Sequence, residues 1–174
     1  NHILQLLCLI AMEPPSNLRP ESVRGEKVKV LRSLRPIRDS ELREKTVRGQ
    51  YTRGVTDGKS VPGYVEEEGG KPSDTETFVA LCAHVDNWRW AGVPFYLRTG
   101  KRLPTRTSQI VIQFRDVPHS IFNGSPLMAN RLTITLQPEE SIALTIMNKT
   151  PSRTQGGYEL QPLTLNLALL DALK

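Results

Sequence analysis

The hydrophobic period of this chain changes once, and that change limits the folds open to it. Ile3, Leu6, Leu7 and Ile10 keep the i, i+3, i+4, i+7 spacing of a helix, whereas from about Val47 onward the spacing becomes alternation. Phe78, Ala80 and Cys82 point away from Val79, Leu81, Ala83 and Val85, and Ile110, Ile112 and Phe114 alternate with Gln109, Val111 and Gln113. Leu132, Ile134 and Leu136 form one face of a further strand whose other face carries Arg131, Thr133, Thr135 and Gln137. Ile142, Leu144 and Ile146 suit an antiparallel partner after Pro138-Glu139-Glu140. Helices followed by a run of strands predict an α+β fold, with the helices packed on one face of a large, mostly antiparallel sheet.

In the opening helix Leu4, Cys8, Leu9 and Ala11 make the remaining faces apolar as well, which predicts burial all round until Pro14-Pro15 ends it. A second helix is expected to start at Pro20-Glu21, to run through Gly25, and to present Val23, Val30, Leu31 and Leu34 on one face before stopping ahead of Pro36. Residues 52–74, rich in Gly, Glu and Ser, read as a long exposed loop. No internal repeat is present.

The 174 residues are enough for one domain with a core, and 38% hydrophobic with 24% charged residues is ordinary for a soluble globular protein. The net charge of +5 comes from 23 cations spread among 18 anions, with no basic run interleaved with aromatics, so a nucleic-acid partner is not expected. Cys8 and Cys82 lie in apolar stretches without metal-ligand spacing, which suits buried reduced thiols, no metal, and a reducing cytoplasm. The apolar run Leu6–Met12 is too short to span a bilayer and lacks a basic leader, so no membrane is expected. The chain begins without Met, directly in an apolar helix, and is expected to be a piece of a longer protein, cut at both ends.

Chemistry is concentrated at Phe95-Tyr96-Leu97-Arg98-Thr99-Gly100-Lys101-Arg102-Leu103, an apolar strand that delivers adjacent cations at its end. The strand fixes the backbone, and Gly100 is expected to permit a conformation that a side chain would obstruct, so the segment builds a corner for a phosphorylated or carboxylated ligand. Lys101 and Arg106 lie on either side of Pro104, which predicts a loop between them. Solvated charge is the plainer reading of both. His2 is a candidate general base, because imidazole titrates near neutrality, although a histidine beside an apolar helix is often structural.

Four ordered segments carry a resemblance. They are Asn1-His2-Ile3-Leu4-Gln5-Leu6-Leu7-Cys8-Leu9-Ile10-Ala11-Met12-Glu13-Pro14-Pro15, Arg24-Gly25-Glu26-Lys27-Val28-Lys29-Val30-Leu31-Arg32, Ser73-Asp74-Thr75-Glu76-Thr77-Phe78, and Trp88 to Leu103. Together they resemble the carboxy-terminal part of glucose-6-phosphate dehydrogenase, over residues 1 to about 116; beyond that the match thins to Leu136-Gln137-Pro138-Glu139-Glu140. The resemblance implies that His2 removes the proton from the C1 hydroxyl of glucose 6-phosphate, and that Lys101, Arg106 and Gln137 bind the substrate. It also implies a homodimer or tetramer formed through the sheet, and reduction of NADP or NAD in the oxidative pentose phosphate pathway.

No Gly-rich fingerprint opens a strand-turn-helix unit in these residues, so no coenzyme-binding residue is assigned here and the coenzyme is expected to be held by a missing Rossmann domain. The family signature that grips the phosphate and orients the histidine is likewise not in this sequence, and the family's closing segments are not recognisable in Leu163 to Lys174. Residues 1–174 would then be a single substrate-binding and dimerisation domain, inactive alone. Thr107 and Val111 stand where animal members carry basic residues for a structural NADP, which implies a bacterial-type enzyme. His84 and His119 lack a motif and are assigned structural roles. The alternative is a non-catalytic module that binds anions without turnover.

Overall fold

The computed structural model describes residues 2–56, 58–119, 127–151 and 158–168. The chain divides into two compact units, Asn1–Leu103 and Pro104–Lys174.

The first unit opens with α1 (His2–Ala11) and α2 (Pro20–Arg32), which pack on each other. Pro20 occupies the first turn of α2, where its missing N–H costs nothing. The burial of α1 is one-sided: Leu7, Cys8 and Ala11 are buried, while Leu4 and Leu9 are 39% and 49% exposed. The expectation of burial all round is thus corrected for this chain, since apolarity on every face does not supply a neighbour for every face. Leu34 also leaves its expected place. Helix α2 stops at Arg32, and Leu34 instead forms a strand-like bridge with Val85, flanked by Arg35 N–H to His84 O (2.9 Å) and Asp86 N–H to Ser33 O (2.7 Å). Arg35 forks onto Asp86 at 2.6 and 2.9 Å, and its guanidinium holds that carboxyl below its usual pKa.

A short 3-10 turn (Asp39–Glu41) leads to α3 (Leu42–Lys45) and β1 (Thr46–Gly49). The stretch read from sequence as a loop holds structure of its own: a hairpin of β2 (Gly54–Thr56) and β3 (Lys59–Val61), then one helical turn, α4 (Tyr64–Glu67). Elements of three or four residues are too short to show a period, so their order comes from contacts such as Arg53 to Glu66 at 3.1 Å. β4 (Phe78–His84) and β5 (Pro94–Gly100) complete an antiparallel sheet in the order β1-β4-β5.

The core of this unit joins Cys8, Ala11, Val30 and Val85, with Met12, Leu34, Trp90 and Phe95 packed around them. Trp90 reaches Ala11 O with its indole N–H (3.0 Å) and meets Phe95 edge-on at 5.2 Å. Val85 is 1% exposed, so Val85→Ala should cost roughly 1.5–3 kcal/mol, from lost transfer free energy and a residual cavity. Urea denaturation followed by tryptophan fluorescence measures this; a cost near zero would mean that the core collapses onto the gap.

The second unit is an antiparallel meander of β6 (Ser108–Gln113), β7 (Arg131–Gln137), β8 (Ser141–Pro151) and β9 (Tyr158–Ala168). The alternation in the sequence maps directly onto its register. Ile112, Leu132, Leu144 and Leu165 sit opposite one another across all four strands, as do Ile110, Ile134, Ile142 and Leu167, which makes one face aliphatic. Thr145 and Thr164 share the other face, with their hydroxyls 3.1 Å apart. The α+β class with antiparallel strands is therefore the class the chain has, with the strands of the described residues distributed among sheets of three, two and four.

Candidate functional site

β5 pairs with β4 along its whole length, from His84 opposite Pro94 to Phe78 opposite Gly100. The reason for Gly100 differs from the one expected. Its φ is not in the left-handed region; instead a Cβ there would stand 2.9 Å from Phe78 Cδ2 and 3.3 Å from Leu103 Cδ2, so the glycine allows close packing. The left-handed residue is Arg102, with φ 51°. It turns the chain immediately after Lys101, whose own N–H donates to Thr77 O at 2.7 Å.

The two adjacent cations at this corner have different fates. Arg102 pairs with Glu67, and its guanidinium lies over the Tyr51 ring, 5.2 Å from the centroid. The Tyr51 hydroxyl donates to Glu67 at 2.5 Å, and that hydrogen bond pushes its pKa above the usual phenol value. Lys101 is exposed, and its ammonium has no partner among the described residues. One cation thus serves the turn, and the other is left exposed. Glu67 and Tyr51 were not singled out from the sequence, because nothing local ties residues 51 and 67 to residue 102.

His2 is the first residue of α1 and is exposed, with no hydrogen-bond or ion-pair partner among the described residues. The helix that carries it is anchored further along, by Gln5 to Lys27 (2.8 Å), by the buried Cys8, and just past its end by Glu13 to Arg89 (3.1 Å). In the second unit Arg106 is exposed two residues before Ser108, and Ser108 pairs with the exposed Gln137 at the end of β7. Arg106 and Gln137 therefore belong to the same end of the four-stranded sheet, whereas Lys101 and His2 belong to the first unit. His84 lies within β4, where its carbonyl accepts the Arg35 N–H, and His119 is exposed.

Among the described residues no cluster of three His, Cys, Asp or Glu is placed to hold a metal ion, and no helix is long and apolar enough to cross a membrane. Every strand pair among them is antiparallel. A Rossmann dinucleotide site needs parallel strands joined by a crossover helix, so these residues do not fit one.

The sequence profile of the glucose-6-phosphate dehydrogenase C-terminal domain matches residues 1–174. The chain belongs to this family. It is 55% identical over 176 residues to glucose-6-phosphate 1-dehydrogenase of Zymomonas mobilis, a match covering 100% of this chain and 36% of the relative. It is 52% identical over 174 residues to the enzyme of the same name from Rhizobium meliloti, covering 99% of this chain and 35% of that protein. Among solved structures, a glucose-6-phosphate dehydrogenase in complex with its substrate glucose-6-phosphate aligns with TM-score 0.80 and 39% identity, covering 99% of this chain and 34% of its own. The chain thus spans about a third of the length of these relatives. The named relatives are bacterial, in line with the bacterial type implied by Thr107 and Val111.

Proposed function

We propose that the protein carrying this chain is a glucose-6-phosphate dehydrogenase, which oxidises glucose 6-phosphate to 6-phosphoglucono-lactone in the oxidative pentose phosphate pathway. The observation that carries this reading is the likeness, over 99% of the chain, to a dehydrogenase solved with that sugar phosphate. In the proposed reaction His2 Nε2 or Nδ1 takes the proton of the C1 hydroxyl as a hydride leaves the same carbon, so that the C1–O bond becomes the lactone carbonyl. The hydride acceptor is a nicotinamide coenzyme, NADP or NAD, for which residues outside this chain are proposed as the holder. The chain's own part is to supply the base and some of the substrate's cationic and amide contacts.

Lys101 offers an exposed ammonium without a competing partner among the described residues, which suits a charge-assisted hydrogen bond to the substrate. Arg106 and Gln137 supply a guanidinium and an amide from one end of the second unit's sheet. Residues 1–174 form the substrate-binding and subunit-associating part in this reading, with assembly as a homodimer or tetramer through the sheet, in the cytoplasm.

The test is an assay of the full-length protein with glucose 6-phosphate and each coenzyme in turn, reading the absorbance of the reduced coenzyme. Sugar-phosphate-dependent reduction of NADP or NAD is expected, and none from residues 1–174 alone. Anion binding without reduction of either coenzyme would return the chain to a non-catalytic module.

A further inference from the structure

We propose that Tyr51, Glu67 and Arg102 are positioning residues that hold the backbone of Lys101 in the orientation from which its ammonium meets the sugar phosphate; this rests on the reading of Lys101 as a substrate-binding residue. The contacts close into a ring around that residue. Upstream of Lys101, its N–H is fixed to Thr77 O at 2.7 Å, and buried Thr77 in turn accepts the Tyr51 N–H on Oγ1 at 2.9 Å. Downstream, Arg102 is fixed by Glu67, and Glu67 is held at 2.5 Å by the hydroxyl of the same Tyr51. Tyr51 therefore secures both sides of Lys101, one through its backbone and the other through its phenol.

The backbone conformation points the same way. A residue at φ 51° would ordinarily be glycine or asparagine, because a Cβ crowds the backbone there. An arginine in that place is held by side-chain contacts: an ion pair to Glu67 and the face of Tyr51 at 5.2 Å, with Tyr51 itself braced edge-on by Tyr64 at 5.8 Å. Lysine has a long flexible stem, so the direction in which that stem leaves the backbone decides how much of its range lies near the ligand. Fixing the turn on both sides fixes that direction. Glu67, which lies within residues 52–74 that the sequence offers as loop, thereby gains a role in the site together with Tyr51 just before them.

The test uses the full-length enzyme with Arg102→Gly, Glu67→Gln and Tyr51→Phe, reading KM for glucose 6-phosphate, KM for the coenzyme and kcat separately. Arg102→Gly keeps the turn accessible and removes the clamp; KM for the sugar phosphate should rise about tenfold, since small misplacement of a binding group is costly. Coenzyme KM and kcat should stay within about twofold, because neither depends on Lys101. A residue that only stabilised the fold would lower Tm without this split. The pair Arg102→Gly with Lys101→Ala should be no worse in KM than Lys101→Ala alone, because the clamp acts through the lysine. Should Arg102→Gly fail to fold, Tyr51→Phe removes one oxygen and gives the same readout.

Unchanged sugar-phosphate KM in the clamp variants, beside a raised KM in Lys101→Ala, would overturn the positioning role alone, as would additivity in the pair. An unchanged KM in Lys101→Ala itself would overturn the reading of Lys101 and this inference with it.

Discussion

Replacing His2 by asparagine in the full-length enzyme is expected to lower kcat by about 10²–10⁴-fold or more, with little change in KM for glucose 6-phosphate. Asparagine keeps a similar shape and can still hydrogen-bond a sugar hydroxyl, but its amide cannot take up a proton near neutrality. The substrate should therefore still bind while the C1 proton loses its acceptor. The structure makes this a clean substitution. His2 is exposed at the start of α1, and the buried contacts of that helix come from Leu7, Cys8 and Ala11, so the change removes no core packing. An equal unfolding midpoint for the two proteins would show that the loss is chemical. Steady-state rates at saturating sugar phosphate and coenzyme measure the effect, and a kcat near that of the unaltered enzyme would rule His2 out as the base.

The parts of this fold that were legible in the sequence are those in which one side-chain period lasts long enough to be counted. β7 and β8 could be paired in advance because Leu132 and Ile134 alternate with the polar Arg131, Thr133 and Thr135, while the large aliphatic Ile142 and Leu144 alternate with the smaller Ser141, Ala143 and Thr145, and the observed register sets Leu132 opposite Leu144 and Ile134 opposite Ile142. A slip of one residue in either strand would carry its two aliphatic residues to the face opposite their partners, so the pattern and the pairing specify each other. The expected second helix fails at its end for the converse reason. Leu34 continues the helical spacing, but the bridge to Val85 and two flanking backbone hydrogen bonds are long-range, and no local pattern records them.

The same distinction divides the site. Lys101 could be singled out from the strand and glycine before it, and the structure places it exposed just past the end of β5. Gly100 was recognised for the wrong property: its role depends on Phe78 and Leu103 crowding it, and only the assembled sheet brings Phe78 there. The juxtaposition of Tyr51, Glu67 and Arg102 joins three separate parts of the chain, and none of them carries a period or motif that predicts the other two. That Arg106 and Gln137 share a sheet end became readable once Ser108 was paired with Gln137.

Lys101→Ala in the full-length enzyme should raise KM for glucose 6-phosphate by about 10- to 150-fold, the equivalent of roughly 1.5–3 kcal/mol for a hydrogen bond to a charged group. Because the Lys101 ammonium has no partner among the described residues, its removal breaks no ion pair among them, and the loss is expected in binding with stability little changed. The backbone N–H of residue 101, which bonds Thr77 O, survives the substitution and preserves the turn. Arg106→Ala should act in the same direction, again without breaking a hydrogen bond or ion pair among the described residues. If both cations touch one substrate molecule, the double variant should differ from the product of the two single effects, because each contact sets the pose from which the other is made. KM for the coenzyme should move little in any of them, which separates loss of the sugar phosphate from general damage to the active site. Initial rates against each substrate in turn, with the other saturating, provide the measurement. An unchanged sugar-phosphate KM in both single variants would leave the corner as solvent-facing charge, and the substrate's anionic group would then have to be held by other residues of the protein.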